Sequence, residues 1–287
     1  MIFHGNMMTA ALALTLAPRQ APTCFQQCYV DPATVGPGRE VPVRLILSAL
    51  FDAGPILDME RPIAFHALHR GVLRDLTPTL SPVPFRGAFN EAVAWEGRVI
   101  LDGEGEHVLV TVPEPHFDRS ERIWIQQITK VALDAAGPSP EGGRPLGLKA
   151  EIVPAAPSHG MVAGTALRAR VLADGRPVAG AAVEIERMAA EPDLARNCLK
   201  PWSERGRGGS VVVTSDRDGW FEAVLPRPGL WGVAALGVGP DRAHREGFLR
   251  QDAVLWLRVS GDQAVPSEPT AGAQASPSSG ASPRIEA

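Results

Sequence analysis

Apolar and polar positions alternate along most of this chain with a period of two. In "EVPVRLILSALF" (Glu40–Phe51), Val41, Val43, Leu45 and Leu47 share one face. That is the spacing of a half-buried strand, and Pro42 is tolerated near its start. "IAFHALHRGVLRDL" (Ile63–Leu76) divides into two short runs around Arg70-Gly71, which predicts a hairpin. "HVLVTV" (His107–Val112) and "RIWIQQITKVAL" (Arg122–Leu133) predict two more strands, separated by the proline-rich "PEPHFDRSE". The second half repeats this grammar in "LKAEIVP", "TALRARVLADGRPVAGAAVEIERM", "SVVVTSDRDGWFEAVLP", "GLWGVAALGV" and "DAVLWLRV". Its tight turns fall at Asp174-Gly175, Asp218-Gly219 and Pro228-Gly229, where turn residues supply the unusual backbone angles.

The pattern predicts an all-β protein of two tandem immunoglobulin- or transthyretin-like β-sandwich domains, 24–135 and 148–260. "DAAGPSPEGGRPLG" (Asp134–Gly147) has no apolar periodicity and is the expected boundary. The 29 Gly and 27 Pro suit short strands and tight turns better than long helices. Residues 1–23 are expected to be a leader or a disordered N-terminus. "MMTAALALTLA" has the length and composition of a signal-peptide core and small residues follow it, but "MIFHGN" before it lacks Lys and Arg. Residues 261–287, rich in Ala, Pro, Ser and Gly, are expected to be a disordered tail.

Composition narrows the partners. At 287 residues the chain can bury two cores. A net charge of −4 gives no electrostatic case for nucleic acid or an anionic membrane. No apolar run reaches the roughly 18 residues of a spanning helix, so no membrane span is expected in the mature chain. No nucleophile elbow, P-loop, HExxH or dinucleotide fingerprint occurs, and no enzyme is expected.

Several side chains carry possible chemistry. Cys24 and Cys28 could bind a soft metal as thiolates, although two ligands are too few for a closed zinc site. A short-loop disulfide and two unpaired thiols stand beside that reading. His66 and His69 resemble an HxxH pair, yet an offset of three on a strand sends the rings to opposite faces. "DGEGEHV" (Asp102–Val108) and "EPHFD" (Glu114–Asp118) lie at the two ends of one predicted strand about 20 Å long, so they should not share a site and read as solvated turns. "DRDG" (Asp216–Gly219) lacks the Gly and Glu of a calcium loop and reads as a turn.

"GLKAEIVP", "DGRPVAGAAVEI", "SDRDGWFEAVLPRPGLWGVAAL" and "DAVLWLRV" resemble a family of exported β-sandwich proteins of undefined function. That family is associated with energy-coupling-factor-type nickel/cobalt uptake systems and is taken to supply their periplasmic component. "GREVPVRLILSALFDAGPILDMERPIAFHALHRGVLRDL" and "PEPHFDRSERIWIQQITKVAL" extend the similarity to roughly Cys24–Ser260. The resemblance implies a periplasmic binding protein that captures a nickel or cobalt ion, or a small chelate, and presents it to membrane metal-transporter subunits. Most of the family's histidines are replaced here: Cys24 stands at the N-terminal position, Ala49-Leu50 and Pro55 at others, and Gln126-Gln127 in the later strand. His69 alone matches. Cys24, His69 and a carboxylate such as Asp58 are therefore the expected metal ligands. The alternative is a cell-envelope interaction module that docks a protein or carbohydrate without an ion.

Overall fold

The computed structural model describes residues 24–49, 54–136, 143–201 and 211–261. The expected leader and tail and the middle of the expected boundary lie outside the described residues. Among those described, the regular elements are strands and two short 3-10 turns, and the protein is all-β as expected.

Three sheets form. The largest, of eleven strands, runs in the order Val211–Thr214, Ala182–Arg187, Gly229–Ala235, Gly247–Ser260, Ile123–Ala135, Gly105–Val112, Ala64–His69, Val72–Asp75. Its centre is a parallel pairing of the last described strand with a strand from the first half, Trp124↔Leu249 through Val131↔Trp256. A seven-stranded sheet includes Cys24–Val30, Glu40–Ala49, Glu91–Ile100 and Ser81–Arg86. A four-stranded sheet includes Ala150–Pro154, Ala166–Ala173 and Trp220–Val224.

The large sheet is the middle layer, and Gly247–Ser260 shows why. Val254 and Trp256 join one core with Phe25, Tyr29 and Leu45 of the seven-stranded sheet. Ala253, Leu255, Leu257 and Val259 join a second core with Ile152, Leu167 and Phe221 of the four-stranded sheet. A strand covered on both faces needs a continuous apolar run rather than alternation, and "AVLWLRV" supplies it. Gly232 lets the layers close: a Cβ there would lie 3.1 Å from Trp256 and 3.2 Å from Phe25.

Two separate tandem units are not confirmed. The large sheet takes strands from both halves, and Pro192–Asp193 and Cys198–Leu199 of the second half extend the seven-stranded sheet, where Cys198 pairs with Arg86. Buried Arg44 reinforces that join through the Glu96 carboxylate at 2.8 Å and the Asn197 side-chain oxygen. Local turn predictions hold. Arg70-Gly71 (φ 49° and 75°) and Asp174-Gly175 (φ 45° and 74°) close two-residue hairpins with both central residues left-handed.

"CFQQCYV" is itself a strand, which its pattern conceals because nearly every residue after Cys24 is buried on one face or the other. It is the edge of its sheet, pairing only with Glu40–Ala49. The middle layer seals its open side. The Gln26 backbone N–H donates to Gln127 Oε1 at 2.5 Å, and the Gln26 carbonyl accepts from Trp256 Nε1 at 2.8 Å. Unsealed, this edge would present bare backbone groups.

Because both cores share one strand, chemical denaturation should give a single cooperative transition. Trp256→Ala should lower its midpoint by an amount equivalent to about 3–5 kcal/mol, typical of a large-to-small core truncation. Two resolved transitions, with only one moved by Trp256→Ala, would show that the halves fold independently.

Candidate functional site

A cleft of about 590 Å³ opens where Leu57–Glu60, Pro113–Ser120 and the edge strand meet. Gln26 and Gln127, the pair that seals the edge strand, also line it. The amides of Gln126 and Gln127 are structural. Gln126 donates to the Pro113 carbonyl at 2.8 Å and accepts from Gln251 at 2.7 Å, while Gln127 also donates to Asp252. Pro113 is where the chain leaves the sheet for the cleft wall, so this hydrogen bond fixes the wall to the sheet.

Asp58, Glu60, Glu114 and Asp118 line the cleft, and Arg119 is its one guanidinium or ammonium group among the described residues. The aspartates are held in place. Asp58 Oδ1 accepts from the Val93 amide at 2.8 Å. Asp118 Oδ1 accepts from the Ser120 and Glu121 amides and the Ser120 hydroxyl, which offset burial and hold its carboxyl below the usual range. The glutamates have basic side chains beside them at the rim: Glu60 lies 3.6 Å from the Arg245 guanidinium, and Glu114 lies 3.6 Å from the His244 ring. Trp124 closes one side, edge-on to Phe117 with ring centroids 5.3 Å apart, and the Arg245 guanidinium lies over it.

His116 is the cleft's imidazole. Burial drives its pKa down to about 4 against the opposing pull of Asp118, so the ring is neutral at physiological pH. "EPHFD" is thus not a solvated turn: His116–Asp118 is a short strand paired with Ile123–Ile125. Its acidic-histidine composition was the available signal; the burial was not visible from local polarity.

The expected ligands do not converge. Asp58 is in the cleft. Cys24 begins the edge strand two residues before Gln26, and burial with the nearby Asp118 and Glu186 carboxylates pushes its thiol up to about 11. Burial thus opposes the thiolate form that a metal ligand needs. Cys28 is buried and pushed up to about 12. A Cys24–Cys28 disulfide is excluded by geometry: four residues of strand separate their Cα atoms by about 13 Å, against a limit of about 7 Å. Both are free. His69 is elsewhere. Its strand runs antiparallel to Gly105–Val112, with Ala64 opposite Val112 and Leu68 opposite Val108. His69 thus lies beside Glu106, with Nδ1 3.0 Å from that carbonyl, about 20 Å along the strand from the cleft at Pro113. Among the described residues, no group of three or more His, Cys, Asp or Glu side chains is placed to hold a metal ion.

Asp216 Oδ1 accepts from the Asp218 and Trp220 amides, both at 2.8 Å. This is the self-bonded turn expected of "DRDG".

Packed sheets enclosing one acidic cleft define an all-β protein with a small-molecule-sized recess. The chain belongs to the family described as a domain of unknown function, DUF4198, whose model matches residues 27–239. Nothing in that match links the family to nickel or cobalt uptake. No curated protein matches the chain. Among solved structures, it is similar to the D0-D1 domain of Intimin at 12% identity, covering 81% of this chain and 97% of that one, with a TM-score of 0.23. It is also similar to the group B streptococcus pilus 2b backbone protein at 10% identity, covering 81% and 98%, with a TM-score of 0.16.

The depressed pKa of His116 has a signed consequence. Between about pH 4 and the unfolded value near 6.5, the unfolded chain binds the proton that the folded ring refuses, so stability rises with pH across that window. Buried Asp252, raised to about 6, titrates in the opposite sense. The difference between wild type and His116→Gln isolates the histidine. Unfolding midpoints measured from pH 4 to 7 should show wild type losing more stability than the variant as pH falls. Parallel profiles would mean the ring is solvated.

Proposed function

We propose that this is a non-enzymatic binding protein whose cleft captures a hydrated or small chelated divalent cation, with nickel and cobalt the first ions to try. The observation that carries this reading is the charge of the cleft: Asp58, Glu60, Glu114 and Asp118 line it with Arg119, and Arg245 offsets Glu60 at the rim. Its volume supports a ligand larger than a bare ion, since small-molecule sites occupy about 300–1,000 Å³. With no direct ligand set among the described residues, the carboxylates would accept hydrogen bonds from the ion's own water or chelate donors. Neutral His116 and the fixed Asp58 and Asp118 are the side chains best placed to do so.

The resemblance noted in the sequence extends the reading to a periplasmic carrier that hands its cargo to membrane transporter subunits. The apolar stretch at Met7–Ala17 supports export. No helix among the described residues is long and apolar enough to cross a membrane. The finer fold reading is of two immunoglobulin-like sandwiches fused through one shared sheet. One observation favours a second reading, a module that docks an envelope protein or carbohydrate: Val211 and Val212 are exposed on Val211–Thr214, an edge strand of the large sheet.

Calorimetric titration of the full chain with nickel and cobalt should give micromolar binding. Asp118→Asn should weaken it about tenfold, equivalent to about 1.4 kcal/mol. Raising salt should weaken it too, as the screening length shortens to about 8 Å at physiological ionic strength. No heat with either ion would move the search to docking partners.

A further inference from the structure

We propose that the mouth of the acidic cleft is a subsite for a small guanidinium compound, and that Arg245 holds the subsite as a tethered stand-in for that ligand. The inference rests on the cation-binding reading of the cleft for its charge, and it needs no metal ion.

The subsite is a carboxylate on one wall and an aromatic face on another. Glu60 belongs to the wall at Leu57–Glu60, Trp124 to the strand Ile123–Ala135, and both line the recess. Arg245 spans them. Its guanidinium carbon lies 4.7 Å from the centre of the Trp124 ring, and one of its nitrogens lies 3.6 Å from the Glu60 carboxylate. A cation within about 6 Å of an indole face is attracted by the ring's quadrupole, and the planar guanidinium also stacks on it. A cation is thus already seated at the mouth, and it displays the charge and shape that the mouth accepts.

Trp124 is fixed for this role. It pairs with Phe117 on one side and with Leu249 on the other. A Cβ on Gly247 would come within 2.9 Å of the indole, so glycine there leaves the ring its place. The His244 ring stands edge-on to it at 4.8 Å. Phe117, 46% exposed, continues the aromatic wall into the recess, where the alkyl stem behind a guanidinium would lie. Asp58, Glu114 and Asp118 offer negative charge to a second cationic group on the same ligand.

Arg245 holds the place loosely. Its 3.6 Å approach to Glu60 is longer than a formed N–H···O bond of about 2.7–3.2 Å. Its side chain is 53% exposed. It stands at the tip of the hairpin that pairs His244 with Gly247, at a φ of 49°. Glycine is the default residue for that backbone, so the turn gives no reason for an arginine. The contact across the mouth does. A free guanidinium, without the tether, can lay its fork on the Glu60 carboxylate while it stacks on Trp124.

Arginine amide is the probe, with EDTA present to exclude metal. Calorimetric titration of the full chain should show weak binding to wild type. Arg245→Gly should bind about tenfold more tightly, because a tethered group competes at a high effective concentration. Glycine suits a φ of 49°, so this variant keeps the turn, and adding Glu60→Gln should reverse the gain. Lysine amide, which lacks the planar fork, should bind less tightly than arginine amide. Equal affinity for wild type and Arg245→Gly, or no binding to the folded variant at millimolar probe, would overturn the proposal. In wild type the Trp124 indole N–H resonance should move as the probe is added, and an unmoved resonance would also overturn it. Nickel titration without EDTA separates the two readings. Nickel binding without arginine amide binding removes this inference alone, and the reverse removes only the metal ion.

Discussion

The architecture depends on one strand, Gly247–Ser260, being covered on both faces. A strand at the surface of a single sandwich would alternate apolar and polar residues. Here Ala253 through Leu257 are all buried, with even and odd positions in different cores. The strand therefore cannot form until a layer exists on each side of it, and its parallel partner Ile123–Ala135 must come from the other half of the chain. A buried ion pair runs along the same seam: Lys130 of that partner lies 2.9 Å from Glu151 of the four-stranded sheet, and Glu151 also accepts from the Leu146 amide. Removing one member would strand the other as a buried charge, which typically costs about 3–5 kcal/mol.

This constraint also positions the cleft. The edge strand Cys24–Val30 leans on the middle layer, and its exposed backbone is satisfied by Gln127 and Trp256 rather than by another strand. Amide side chains suit this work because each supplies a donor and an acceptor in one plane. Once that seam is occupied by glutamine, the recess beyond it is floored by groups already committed to one another. Chemistry is left to the wall residues: His116 and Asp118, with Asp58 opposite. The replacement of expected histidines at Gln126-Gln127 thus has a structural account.

Legibility followed burial. Strands with one wet face, such as Trp220–Val224, and two-residue turns such as Arg70-Gly71 could be read because local alternation and turn chemistry decide them. "CFQQCYV" could not be, since both of its faces are buried and two glutamines interrupt the apolar run. The shared sheet was hidden for a different reason. A glycine- and proline-rich linker marks a change of direction, but it carries no information about pairing between strands 125 residues apart, as in Gln127↔Asp252. For the site, Asp58 lines the cleft, whereas His69, expected beside it, lies at the far end of a strand. His116 and His107 were passed over because their neighbours in sequence are charged, while their neighbours in space are not solvent.

In the proposed function the cleft is where a cation would enter, and the packed sheets hold it open. Crystals soaked in nickel or cobalt and recorded at the metal's absorption edge locate the ion without relying on any variant. The account predicts an anomalous peak inside the cleft, among Asp58, His116 and Asp118. A peak confined to other surfaces, with the cleft empty at saturating metal, would contradict it.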